Sequence, residues 1–388
     1  MRDIYLDNSA TTPICVESKK KMLDAMELYG NPSSLHSKGF EASKIIDDAR
    51  SKVLTSLFVR GGKAENLIFT ASGTEADNLA LLGVAYAKTR RANRIITTDS
   101  EHSAIENTLN VLENDGFEIV RLSTKNGIID MDEFKAAMNK NTLLVTLMHV
   151  NNETGAVYSI RECFKIAKQV NPDVVTHTDA VQSYMKMKIS PTELCADLIS
   201  ISAHKIHGPK GVGALYISPE IIKKKQLKPI IYGGGQEFGF RSGTENLVGI
   251  AGFGAAADRG FKNLAKDVIS MRELRAYALE KLSSIDVRVN LPQGEAAPHI
   301  INLTLPSIKS ETMLHHLSAK GIYVSSGSAC SSNSATKKVS RALRGFGLSA
   351  FEADCSMRIS LSSFNTKEEI DVLLLALDEG IKKLVKIK

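Results

Sequence analysis

Three short polar segments, each following an apolar run, carry residue types that can do chemistry. In Phe69-Thr70-Ala71-Ser72-Gly73-Thr74-Glu75 small residues carry a strand into a helix, leaving unpaired backbone N–H groups and hydroxyls able to hold a phosphate. In Thr176-His177-Thr178-Asp179-Ala180-Val181-Gln182 an acid closes an apolar strand. In Ile199-Ser200-Ile201-Ser202-Ala203-His204-Lys205-Ile206-His207-Gly208-Pro209 a lysine lies just past a strand and before a Gly/Pro turn. Partial burial there would lower the amine's pKa and free its lone pair for imine chemistry. Each segment has an ordinary alternative: a helix cap for the first two, a surface lysine for the third. In this order they also supply an anion cradle, an acid for a pyridinium N–H and an imine-forming amine, the set a pyridoxal-phosphate enzyme needs.

The elements that must position these residues are legible in the periodicity. From about residue 64 to 217 short apolar runs alternate with amphipathic stretches, the signature of strand-helix units building a mostly parallel sheet. Strands are expected at Leu67–Thr70, Arg94–Thr98, Glu118–Leu122, Leu143–Met148, Val174–His177, Leu198–Ile201 and Ala214–Ile217. Helical spacing marks Thr74–Lys88, Ala104–Asn114, Met131–Met138 and Ile160–Val170. All three polar segments fall where strands end, the place where open parallel sheets bind ligands. A long helix over Leu247–Ser283, strands near His299–Leu305, Gly321–Ser325 and Met357–Leu361, and a closing helix over Lys367–Lys386 describe a second, smaller α/β unit.

Composition narrows the class. Apolar residues at 43% and charged residues at 24% of 388 exclude disordered and collagenous chains. A net charge of +6, spread along the chain, does not point to nucleic acid as a direct ligand. No stretch approaches about 18 apolar residues, and the start carries no basic region followed by an apolar core, so a cytoplasmic protein without membrane contact is expected. Five scattered cysteines without a CxxC pair suit neither a disulfide framework nor a metal cage, so no metal is expected.

Further segments carry a family resemblance: Tyr5-Leu6-Asp7-Asn8-Ser9-Ala10-Thr11-Thr12-Pro13, Gly30-Asn31-Pro32-Ser33-Ser34, Ser72–Glu75, Glu101-His102, Met148-His149-Val150-Asn151-Asn152-Glu153, the Asp179 and Lys205 segments, Arg241-Ser242-Gly243-Thr244, and Ser325-Ser326-Gly327-Ser328-Ala329-Cys330. Over nearly its whole length the sequence resembles the cysteine desulfurases of the class V aminotransferase group, in the branch serving iron–sulfur cluster assembly and sulfur transfer. The resemblance implies the pyridoxal-phosphate aminotransferase fold type I, with a mostly parallel seven-stranded sheet in a large domain at 15–255. A smaller α/β domain would comprise 1–14 and 256–388 and carry the catalytic cysteine loop.

It also implies roles, position by position. Lys205 would form the imine with pyridoxal 5'-phosphate and move the substrate Cα proton. Asp179 would keep the pyridine nitrogen protonated, His102 stack on the ring and assist proton transfer, and Gln182 bond the phenolic oxygen. Ser72, Gly73, Thr74, Ser202 and His204 would hold the phosphate, with Thr244 reaching it from the other subunit of a homodimer. Arg358 would grip the substrate carboxylate, with Asn152 assisting.

Cys330 separates a desulfurase from a generic aminotransferase. It sits in a small, polar run that suits a loop rather than a core, where a thiolate could take the sulfur of L-cysteine as a persulfide and leave L-alanine. The sulfur would then pass to an acceptor protein, an iron–sulfur scaffold or a tRNA-thiolation enzyme. The remaining cysteines read as structural or incidental. Two departures from the family stand out. Ala335-Thr336-Lys337-Lys338-Val339-Ser340-Arg341 replaces the usual Leu-Glu-Pro-Ser type segment, and the chain stops at Lys388, short of the tail some relatives use to dock a scaffold. The rivals are a selenocysteine lyase or another pyridoxal-phosphate β-lyase or aminotransferase of this fold, and a binding protein that has lost turnover.

Overall fold

The computed structural model describes residues 3–88, 92–326, 339–384 and 386. Its strands, in chain order, are β1 Ile4–Tyr5, β2 Leu67–Thr70, β3 Arg94–Thr98, β4 Glu118–Leu122, β5 Thr142–Thr146, β6 Val175–Asp179, β7 Leu198–Ser202, β8 Gly213–Ile217, β9 Arg288–Val289, β10 Ile300–Thr304, β11 Ile322–Tyr323, β12 Ser325–Ser326 and β13 Ser356–Ser360. Seven of them form one sheet in the order β2-β8-β7-β6-β5-β3-β4. Only β8 runs against its neighbours β2 and β7; the other pairings are parallel. This is the expected mostly parallel seven-stranded sheet of an α/β fold, with the strand spans shifted by no more than two residues at either end.

Both faces of the sheet are covered because its strands are apolar on both faces, unlike a half-exposed antiparallel strand. Ile68, Ile95, Leu144, Val175, Leu198 and Leu215 pack in one core with the helix Gly73–Lys88. Their alternate neighbours Phe69, Ile96, Val145, Ile199 and Ala214 enter a second core on the opposite face, as a side-chain period of two requires. Strand β6 breaks this pattern with Thr176, His177, Thr178 and Asp179, all buried. A central strand this polar is costly unless its groups find partners, so it marks where the sheet departs from pure packing.

The second unit is built on the antiparallel sheet β12-β13-β10-β9, with the β1–β11 pair beside it. Its core joins Leu6, Leu303, Ile322, Met357, Ile359 and residues of the helix Lys367–Lys383. That last helix opens with a capping box, in which the Thr366 side chain accepts from Glu369 N–H and the Glu369 carboxylate accepts from Thr366 N–H. The 36-residue helix Leu247–Leu282 connects the units: Ile250, Phe253, Ala256 and Ala257 belong to the sheet core, whereas Leu274, Ala278 and Leu282 belong to the smaller one. Among the described residues no helix is long and apolar enough to cross a membrane.

Candidate active site

The carboxyl ends of β2, β6 and β7 converge on a cavity of about 370 Å³. Ser72, Gly73, Thr74, His102, Asn152 and Asp179 line it, as do Gln182, Ser202, His204, Lys205 and Arg358. Residues spread over nearly 290 positions thus meet in one space. Thr244 does not line it; it is exposed, on a segment whose Arg241 pairs with Glu75 at 2.8 Å beside the same helix start. Cys330 lies outside the described residues. Before it in the chain, Ser325 lines the cavity and pairs in register with Arg358; after it, the Ser340 hydroxyl donates to Glu153 Oε2 at 2.7 Å, next to the cavity-lining Asn152.

The anion cradle is the start of the helix Gly73–Lys88. Ser72 caps it, its Oγ accepting from Glu75 N–H at 3.1 Å and its carbonyl from Ala76 N–H, which leaves the Gly73 and Thr74 N–H groups as orphan donors of the first turn. Opposite them Ser202 Oγ is buried without a hydrogen-bond partner. Unmet donors and a partnerless hydroxyl around one cavity are what a bound phosphate would satisfy, so the residues present fit the phosphate of pyridoxal 5'-phosphate. The approach is close enough to require glycine at 213, where a Cβ would lie 2.5 Å from the Ser72 carbonyl carbon.

The Lys205 ammonium is held over the same space by the N-terminal segment, donating to the carbonyls of Ser9 and of Ala10, the latter at 2.9 Å. It stands on a single turn after β7, where His207 adopts a left-handed backbone (φ 67°) and Gly208 N–H bonds back to the Ala203 carbonyl. Gln182 Nε2 also donates to the Ser9 carbonyl, at 2.9 Å. His102 caps the helix Ser103–Asn114, its Nδ1 accepting from Ala104 N–H at 3.2 Å, which leaves the proton of the neutral ring on Nε2. Burial holds its pKa down, against the pull of Asp179. His204, with Nδ1 3.2 Å from Thr11 Oγ1, is pushed down to about 4 by burial and then by Lys205 and Lys210.

Asp179 is 7% exposed and accepts from Val181 N–H at 2.8 Å. Burial raises its pKa, while His102, that N–H and Lys205 oppose the rise. Arg358 comes from β13 of the smaller unit. Its Nη1 donates to the Asn152 carbonyl and its Nη2 to Asp7 Oδ1, each at 2.8 Å, while Nε is buried without a partner. The guanidinium is therefore anchored at two corners with donor capacity left over, a fitting receptor for a carboxylate.

Four contributors went unassigned in the sequence. Asp7 lies in the N-terminal motif that carried the resemblance, but its pairing with Arg358 spans 351 positions and has no local signal. Ser9 and Ala10 act through backbone carbonyls, which side-chain patterns do not encode. Asp77 lines the cavity one turn into the cradle helix, where its place beside Asn78 reads as an ordinary helix surface.

The Aminotransferase class-V model matches residues 4–373. A curated relative, cysteine desulfurase IscS of Dictyoglomus turgidum, is 40% identical over 99% of this chain and 95% of its own. The solved structure of a NifS-like protein from Rickettsia africae shares 31% identity at a TM-score of 0.86, covering 99% of this chain and all of that one. A structure described as SspA in complex with cysteine shares 31% at a TM-score of 0.80, over 93% and 99% of the two chains. With a family match over residues 4–373 and a curated relative 40% identical over nearly its whole length, this chain belongs to the class V aminotransferases.

Proposed function

We propose that this chain is a pyridoxal-phosphate-dependent cysteine desulfurase, converting L-cysteine to L-alanine and handing the sulfur to Cys330 as a persulfide, from which an acceptor protein takes it. The observation that carries the reading is the meeting of an anion cradle, a buried acid, an anchored lysine and an anchored arginine in one cavity. The curated relatives named cysteine desulfurase support the choice of substrate.

When bound, pyridoxal 5'-phosphate supplies an electrophilic aldehyde and a ring that accepts electrons from the substrate Cα. The Gly73 and Thr74 N–H groups, the Thr74 and Ser202 hydroxyls, Ser72 and His204 hold its phosphate. Asp179 would keep a proton on the ring nitrogen, Gln182 would hydrogen-bond the phenolic oxygen and His102 would stack on the ring. Arg358 takes the substrate carboxylate, with Asp7 and the Asn152 carbonyl fixing its direction. Lys205 Nζ, released from the Ser9 and Ala10 carbonyls, removes the Cα proton and later returns one to carbon. The Cys330 thiolate attacks the substrate sulfur; the S–S bond forms as C–S breaks, and the electron pair stays with the carbon that becomes the alanine methyl.

The reading extends to assembly. Val16, Leu23, Met26, Tyr29 and Leu35 expose more than half of their surface on the N-terminal helix and the loop after it, and Tyr232 and Phe238 do so beside the Arg241–Thr244 segment. Apolar surface of this extent calls for a cover, and a second copy that brings its Thr244 to this cradle supplies one. Residues 15–255 would form the cofactor domain, and 1–14 with 256–388 the small one; the handover of the helix Leu247–Leu282 between two cores supports a division there. Unpaired cysteines at 15, 163, 195 and 355 suit a reducing, cytoplasmic setting.

The test is alanine formed from L-cysteine with a reductant present, comparing wild type with Cys330→Ala at matched cofactor occupancy. Alanine lost only in the variant is the expected result. Equal alanine from both would make the chain a lyase without a protein persulfide, and none from either would assign it another amino acid.

A further inference from the structure

One acid bordering the cavity has no part in the reaction as derived. Asp77, on the helix Gly73–Lys88, is 1% exposed and sits against β6 and β7 beside Asp179. Among the described residues no lysine or arginine pairs with it. Its Oδ1 is buried without a hydrogen-bond partner, and the nearest imidazole, His177 Nε2, stands 3.8 Å away.

The neighbours are a neutral imidazole and the hydroxyls on either side of it. Burial holds the His177 pKa down to about 3, so the ring carries one proton. The Ser200 oxygen lies 3.0 Å from His177 Nε2 and Thr146 Oγ1 2.8 Å from Nδ1, so both ring nitrogens face hydroxyls. The neutral ring donates through one nitrogen and accepts through the other, and both needs are met by hydroxyls. Thr146, His177, Asp179 and Ser200 share the sheet face under this helix, Thr146 opposite His177 and Asp179 opposite Ser200 in register. This group brings Asp77 no positive charge.

Two carboxyl groups buried side by side do not both ionise when one cationic environment serves them. Asp179 has that environment, with the Lys205 ammonium and the Val181 N–H both favouring its charged form. Among the described residues, the only basic group that Asp77 has within 4 Å is the neutral His177 ring. We propose that Asp77 is an uncharged acid and a positioning residue for Asp179, retaining the proton of the pair so that Asp179 alone presents negative charge to the cavity. Burial first, and then Asp179, push the Asp77 pKa well above the carboxylate range. Glu101, the other acid facing it, is pushed up to about 8 by burial and so adds no charge near neutrality. A ring nitrogen beside Asp179 would thus meet one carboxylate, a consequence that rests on the cofactor reading above.

The experiment uses the full chain with ¹³C-labelled aspartate, without and with pyridoxal 5'-phosphate. An infrared difference between wild type and Asp77→Asn near neutral pH should show the carbonyl stretch of a protonated carboxylic acid present in wild type and lost in the variant. In the holoenzyme the pH response of the visible chromophore should stay near wild type in Asp77→Asn and move by about one pH unit or more in Asp77→Ala, since the amide keeps the neutral hydrogen-bonding shape and the methyl does not. Absence of the acid band, or an Asn variant displaced as far as Ala, overturns the proposal. If Asp77→Ala does not fold, the infrared band and the Asn spectrum still decide it. The band is read without cofactor, so failure of the cofactor reading, a wild type that develops no chromophore, is a separate outcome.

Discussion

Arg358→Lys tests whether the fork of the guanidinium, rather than its charge, selects the substrate. Arg358 is 5% exposed and already spends Nη1 on the Asn152 carbonyl and Nη2 on Asp7, both at 2.8 Å. A substrate carboxylate must be met by what remains, including the partnerless Nε. Lysine keeps the positive charge but offers a single nitrogen that cannot face Asn152, Asp7 and a carboxylate at once. The variant therefore loses one charge-assisted hydrogen bond to substrate, about 1.5–3 kcal/mol. At about 1.4 kcal/mol per decade that is a fall of roughly 10- to 150-fold in kcat/KM. The carboxylate does not react, so most of the loss should appear in KM. The assay is alanine production against L-cysteine concentration for both proteins at saturating cofactor. A variant within about threefold of wild type in kcat/KM, well short of one lost charge-assisted bond, would refute the reasoning, as would an unchanged KM with only kcat reduced.

Lys205→Ala should abolish alanine formation while leaving the fold intact, since the half-buried side chain donates to backbone carbonyls at the cavity and fills no core position; residual turnover in a rigorously purified variant would reassign the proton-transfer base. Gly213→Ala should weaken pyridoxal 5'-phosphate binding at least about tenfold and cost about 1–3 kcal/mol of stability, because the added methyl is driven into the Ser72 carbonyl; cofactor titration and denaturant melts measure both, and an unaltered affinity would show that the cradle yields freely. Glu237→Gln should cost about 3–5 kcal/mol by leaving Arg50 buried without its paired carboxylate at 2.8 Å. Urea unfolding reads that loss, and a cost below about 1 kcal/mol, the scale of an exposed pair, would contradict it. His149 is held neutral by burial, its pKa pushed down to about 4. Below pH 6.5 the unfolded chain takes a proton that the folded one refuses, so the histidine removes stability as pH falls from about 6.5 towards 4, by about 2 kcal/mol at pH 5. His149→Gln should flatten the slope by about one proton over that window. Glu101, pushed up to about 8, tilts wild type the opposite way, so the difference between the two proteins is the quantity to compare, and parallel slopes would exclude the mechanism.

Much of the large sheet was legible because periodicity is a local property. Leu67–Thr70, Arg94–Thr98 and Glu118–Leu122 have the same bounds in sequence and structure, each being a short apolar run cut off by turn residues. Strand β6 runs two residues beyond its expected end, to Asp179. Asp179 is polar, and apolar patterning stops reading where a strand becomes a site. Gly321–Ser325 resolves into two short strands, Ile322–Tyr323 pairing β1 and Ser325–Ser326 pairing β13, a division set by partners far along the chain.

By itself the sequence determined which residue types follow each strand, and so that a phosphate cradle, an acid and a lysine all stand at carboxyl ends of a parallel sheet. Chain direction and side-chain alternation suffice for that, because both are local. The tertiary structure alone decided what those groups meet: Asp7 on Arg358 across 351 positions, the Ser9 and Ala10 carbonyls on Lys205, and Asp77 under the same helix face as Asp179. Charge state, donor capacity and orientation depend on burial and on neighbours brought together by packing, and no spacing along the chain records which neighbours those are.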